Sequence, residues 1–149
     1  MIPKYFHYIS HLKWLFFVIG VYFVSTESII RDENYLSGIG LGITLIGIGF
    51  AIGSLSDIEK LTKKEKKIVS NPKRFKKETK SLFVGTCLGL LASVFFFLIP
   101  FINLSLYIDT TEGYTNLGYG TVAFALGMFL ELKQLYEKRL IFKKQNEIS

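Results

Sequence analysis

Of the polar side chains within the apolar stretches of this sequence, Glu27, Asn103 and Glu131 are the candidates for chemistry. A group of this kind at membrane depth is expensive to hold, so it marks an ion or proton route or is neutralised by a local partner. Lys133, Arg139 or a basic residue of 57–81 would serve Glu131 as an ion-pair partner, and Glu27 divides between the same two roles. Asn103 follows Pro100, which removes a backbone donor and kinks a helix. That combination reads either as a hinge beside a pathway or as an outer-end irregularity whose amide bonds a neighbouring helix. His7 and His11 have the i,i+4 spacing of metal ligands, but no third acid or thiol accompanies them, so no metal site is assigned. The single cysteine, Cys87, excludes an intramolecular disulfide and reads as a small packing residue. No Walker loop, zinc cluster, nucleophile elbow or cysteine pair is present. No paired acids, histidines or serine with a base lie deep in a span, so neither an enzyme nor a cofactor is expected.

The elements that carry these residues are read from the distribution of charge. Charges are nearly absent from 14–26, 36–56, 82–108 and 113–130 and crowd the segments between. A helix crossing a hydrocarbon core of about 30 Å needs roughly 20 apolar residues. Residues 14–30, 36–55, 82–108 and 114–135 each supply such a length. A soluble bundle would show charges recurring along a wet face, and 36–56 has none on any face. The expectation is an all-α integral membrane protein, a single domain over 1–149 built as a four-helix transmembrane bundle. The long third span suggests tilt. Before the first span, 1–13 reads as an interfacial arm carrying Tyr5, Phe6, Tyr8 and Ile9. Val24-Ser25-Thr26 is a poor cleavage site, so the first span is expected to be retained.

Basic residues in short loops stay on the cytoplasmic side. Of the 18 lysines and arginines, only Arg31 lies in the connections after the first and third spans. The others fall in the arm, in 57–81 and from Lys133 to the end, which places both termini inside. Multi-pass residence in the cell membrane, in a bacterium the inner membrane, follows as the expectation.

The second span is rich in glycine. Gly38, Gly42, Gly49, Gly53 and Ser56 fall within about 60° on a helical wheel, and Gly40, Thr44, Gly47, Ala51 and Ser54 gather opposite. Small residues at four-residue spacing let backbones approach, which drives helix association in lipid. Two such faces require two close neighbours, within the fold or in a second copy. The fourth span adds a stripe of Gly120, Ala123, Gly127 and Glu131. Shifting the chain by 80 positions also aligns 15–20 with 95–100, Gly38, Gly40 and Gly47 with Gly118, Gly120 and Gly127, and Lys63-Lys64 with Lys143-Lys144. This suggests two parallel-repeat hairpins related by an axis along the membrane normal.

The 57–81 segment shows capping-box spacing at Ser56/Glu59 and Thr62/Glu65, then a basic helix with a sparse apolar side, broken at Asn71-Pro72 before a second basic helix enters the third span. Lys63, Lys64, Lys66, Lys67, Lys73, Arg74, Lys76 and Lys77 form a juxtamembrane polybasic cluster, which binds anionic lipid head groups or an acidic protein partner. Nucleic acid is not expected, since Phe75 is the one aromatic there and no reader motif is present. The leading expectation is a non-enzymatic membrane subunit that packs or oligomerises through its glycine faces, as a homo-oligomer or in a larger membrane complex. A small channel or transporter subunit with Glu27, Asn103 and Glu131 lining a route is the alternative. A membrane immunity or sensor protein, recognising its target through the acidic segments 31–35 and 109–116, is a further one.

Overall fold

The computed structural model describes residues 11–30, 35–55, 61–102 and 109–148, and these are almost wholly helical. Five helices follow one another: α1 (Lys13–Ile30), α2 (Tyr35–Gly53), α3 (Lys63–Ser70), α4 (Pro72–Ile102) and α5 (Asp109–Ile148). Helices α1, α2 and α4 are long and apolar enough to cross a membrane. At 40 residues α5 has the length, but Tyr114, Thr115, Asn116, Tyr119 and Glu131 dilute the apolar stretch expected over 114–135. Pro100 lies inside α4, which continues to Ile102. The interfacial arm falls outside the described residues apart from its last three positions.

The four long helices pack side by side as a row among the described residues. Among the described residues α1 packs only on α2, α2 on α1 and α5, and α5 on α2 and α4. Helix α3 crosses one end of the row and rests on α4 and α5. Small residues set this order. On one side of α2, a Cβ on Gly42 would come within 2.7 Å of the Gly20 carbonyl oxygen, and Gly49 lies against Lys13 and Phe16. On its other side, a Cβ on Gly40 would meet the Asn116 backbone at 2.7 Å, and one on Gly47 would meet Ala123 at 2.5 Å. Gly38 lies against Glu27, and Gly53 faces the Lys13 side chain. Gly120 and Gly127 close the second contact against the carbonyls of Gly40 and Gly47. Asn116 Nδ2 donates to Ser37 Oγ at 3.0 Å across the same seam. Contacts that advance together along both helices make α2 and α5 parallel.

Helix α5 has a second small face, towards α4. A Cβ on Gly89 of α4 would come within 3.0 Å of the Ala125 Cβ, and Gly118 sits under the Phe97 ring. The aromatic rings of Phe17, Phe50 and Phe124 step across α1, α2 and α5 with centroids 4.9 and 5.6 Å apart. Hydroxyls inside the long helices bond their own backbone: Thr86 donates to Leu82 O, Ser93 to Leu90 O and Thr121 to Leu117 O. No polar group among these is left for lipid to solvate.

The 80-position shift places Gly40 beside Gly120 and Gly47 beside Gly127. It does not carry α1 onto α4. Position 42 meets Gly20, whereas the positions flanking 122 meet Gly89, not the matching Pro100. The 15–20 and 95–100 segments therefore lie at different depths.

Candidate functional site: an interfacial cavity and a basic face

Local sequence builds the cap at the α3 end. Thr62 is the N-cap of α3: its Oγ1 accepts from Glu65 N–H at 3.2 Å, and Thr62 N–H donates to Glu65 Oε2 at 2.8 Å. The Ser56/Glu59 spacing falls outside the described residues. Asn71 then caps α4, its Oδ1 accepting from the N–H groups of Lys73 and Arg74, with Pro72 at the first helical position.

Tertiary contacts fix the cap in place. Val69 and Phe75 are buried. The Phe75 ring meets Tyr136 edge-on at 5.2 Å, and the Arg139 guanidinium lies 3.9 Å from its centroid. Lys138 is 1% exposed, and its Nζ lies 2.6 Å from Glu65 Oε1. Burial pushes the Glu65 carboxyl up, but its bonds to Lys138 and Thr62 outweigh this and hold it below its ordinary value. Sequence reasoning missed Lys138, which has no local signal as a core residue.

Two surfaces result. The first is a basic face on α3 and the opening turns of α4. Lys63, Lys64, Lys66, Lys67, Lys73, Arg74, Lys76 and Lys77 are all exposed. Lys64, Lys67, Arg74 and Lys77 line a shared groove of about 280 Å³ with Ile68 and Glu78.

The second is a cavity of about 520 Å³ below α3. Phe50 of α2 and Glu131, Gln134 and Leu135 of α5 form its back, α1 and α4 supply side walls through Lys13, Trp14, Phe17, Glu78 and Leu82, and α3 lies across the top. Glu131 faces this space, half-buried, where the charge of Lys13 acts on it. Two of the partners expected for it are engaged elsewhere, Lys133 lying 3.7 Å from Glu137 and Arg139 stacking on Phe75, while Lys64 of the basic 57–81 segment lines the same cavity.

The three residues of the candidate pathway are not brought together. Glu27 sits against Gly38 at the far end of α1, while Glu131 is at the α3 end, about 20 Å away along the helix axis at 1.5 Å per residue. Asn103 lies outside the described residues, as does His7. Of the acidic segments, 31–34 fall outside them too, and Glu112 is exposed. No group of three or more histidine, cysteine or acidic side chains suited to a metal occurs among the described residues. No protein-family model, curated protein or solved structure matches the chain.

Proposed function

We propose that the chain is a non-enzymatic, four-span integral membrane protein whose basic face holds anionic lipid head groups at the inner surface of the cell membrane. The carrying observation is that eight basic side chains stand exposed on α3 and the start of α4, where those helices leave the apolar row. Each lysine close to an anionic surface contributes about 1 kcal/mol. The cap beneath them, held by Phe75, Arg139 and the Glu65–Lys138 pair, presents them as a fixed surface. In a bacterium this membrane is the inner one, with both termini cytoplasmic.

The fourth span is supported by geometry. Helix α5 runs parallel to α2, with Gly120 beside Gly40 and Gly127 beside Gly47, so its uncharged stretch occupies the same depth as a helix long enough to span. The same pairing supports duplication of the second hairpin helix, with an axis along the membrane normal. Both small faces of α2 are occupied inside the chain, so an oligomer would form through other surfaces. The separation of Glu27 from Glu131 weighs against a shared route.

Native mass spectrometry from detergent doped equally with phosphatidylglycerol and phosphatidylcholine tests the reading. The native chain should retain phosphatidylglycerol in preference. Replacing Lys64, Lys67, Arg74 and Lys77 by glutamine should lower that retention by up to about three orders of magnitude, at about 1 kcal/mol per charge. Equal retention of the two lipids by the native chain would defeat the proposal.

A further inference from the structure

We infer that the cavity below α3 binds one aminophosphate lipid, its phosphate against Lys13 and Lys64 and its primary ammonium against Glu131 and Glu78. This goes beyond the basic face, with which the cavity shares Lys64 and Glu78. The cavity is divided in character. Trp14, Phe17, Phe50, Leu82 and Leu135 make one part apolar, and four charged side chains line the rest besides the Glu65–Lys138 pair.

The balance of those four charges identifies the ligand. The two ion pairs among the described residues are Lys133–Glu137 and Lys138–Glu65. Lys13, Lys64, Glu78 and Glu131 thus line one space without an ion pair of their own. A half-buried carboxylate held there needs a counter-charge with hydrogen-bond donors. A purely anionic head group would satisfy the lysines but face Glu131 and Glu78. A purely cationic one would do the reverse. A phosphate joined by two carbons to an ammonium answers both signs, and its N–H groups can donate to the carboxylates.

Size and access agree with this chemistry. About 520 Å³ lies within the roughly 300–1,000 Å³ range of small-molecule sites and suits a head group with the first part of its chains. Because α1 and α4 do not pack on each other among the described residues, the row leaves a lateral opening between its outer helices. Trp14, 65% exposed, lines the α1 side of that opening.

Trp14 is the only tryptophan in the chain, which makes it a contact reporter. The protein would be placed in phosphatidylcholine nanodiscs with a small, equal fraction of phosphatidylethanolamine or phosphatidylglycerol brominated on the acyl chains, or of brominated phosphatidylcholine as the baseline. Brominated phosphatidylethanolamine should quench Trp14 about fivefold more steeply than the baseline, the net worth of one ordinary hydrogen bond. Glu131→Gln and Glu78→Gln should each return it towards the baseline. Glu78 is exposed, so its variant decides the matter even if the other perturbs the fold. Quenching by phosphatidylethanolamine no steeper than the baseline, or undiminished in the Glu78→Gln variant, would overturn the inference. Steeper quenching by phosphatidylglycerol would also overturn it, while leaving the anionic-lipid proposal standing.

Discussion

Lys138 is the most deeply buried charge among the described residues, and Glu65 is bound to it at 2.6 Å. Removing one partner of a buried pair leaves the other desolvated, at a cost of about 3–5 kcal/mol. Glu65 retains 27% exposure, so Glu65→Gln should destabilise the cap by somewhat less than that range, about 2–3 kcal/mol. Lys133→Ala should change stability by less than about 1 kcal/mol, since its pair with Glu137 is exposed and 3.7 Å long. Limited proteolysis across 61–75 would separate the two variants. The lowered Glu65 pKa also sets a direction in pH. A carboxyl depressed in the folded state adds stability that is fully present well above its unfolded value of about 4.5 and is lost as pH falls through the folded value. Amide protection factors in α3, corrected for intrinsic exchange at each pH, should therefore fall on acidification below that range and stay level through neutrality, with Glu65→Gln flattening the response. The sequence revealed half of this arrangement. Thr62 and Glu65 stand three residues apart and declare the cap locally, whereas Lys138 meets Glu65 across 73 positions and only the packing of α5 brings it there.

Among the helices, small residues decide which are inner and which are outer. The two faces of α2 were legible because helical periodicity alone separates Gly42 and Gly49 from Gly40 and Gly47. The second face of α5, with Gly118, Thr121 and Ala125, carries the same signal, more weakly than the stripe of Gly120 and Gly127 because it holds a single glycine. Which helix each face meets was not legible, because a small-residue stripe names no partner. In an exposed helix Gly→Ala is favourable by about 1 kcal/mol. At Gly47 the new methyl would lie 2.5 Å from the Ala123 backbone, which cannot rotate aside. Overpacking of this kind costs about 1–3 kcal/mol, so Gly47→Ala should lower the unfolding temperature in detergent. Gly53→Ala meets only the flexible Lys13 side chain, from 3.1 Å, and should be neutral or slightly stabilising. Equal unfolding temperatures for the two variants would show that the α2/α5 seam is looser than described.

Across the whole molecule, apolar stretches mark which helices are able to cross a membrane, α1, α2 and α4 among them, but not the order in which the helices touch, and a row satisfies them as well as a closed bundle. The open question of topology concerns α5, whose hydropathy is diluted by Tyr114, Thr115, Asn116 and Glu131. If α5 stayed outside the membrane, its glycines could not lie against the glycines of α2 at the depth where α2 is uncharged. In the proposed topology the parallel seam carries α5 across wherever α2 crosses. In a chain with Cys87 replaced by alanine, single cysteines at Glu112, Lys77 and Lys144 report this directly, all three positions being exposed. A membrane-impermeant thiol reagent added to intact cells should label position 112 and spare 77 and 144 until the membrane is opened. A three-span chain would instead expose 112 and 144 together. That pattern would also dismantle the pairing of Gly40 with Gly120, because both depend on the same placement of α5.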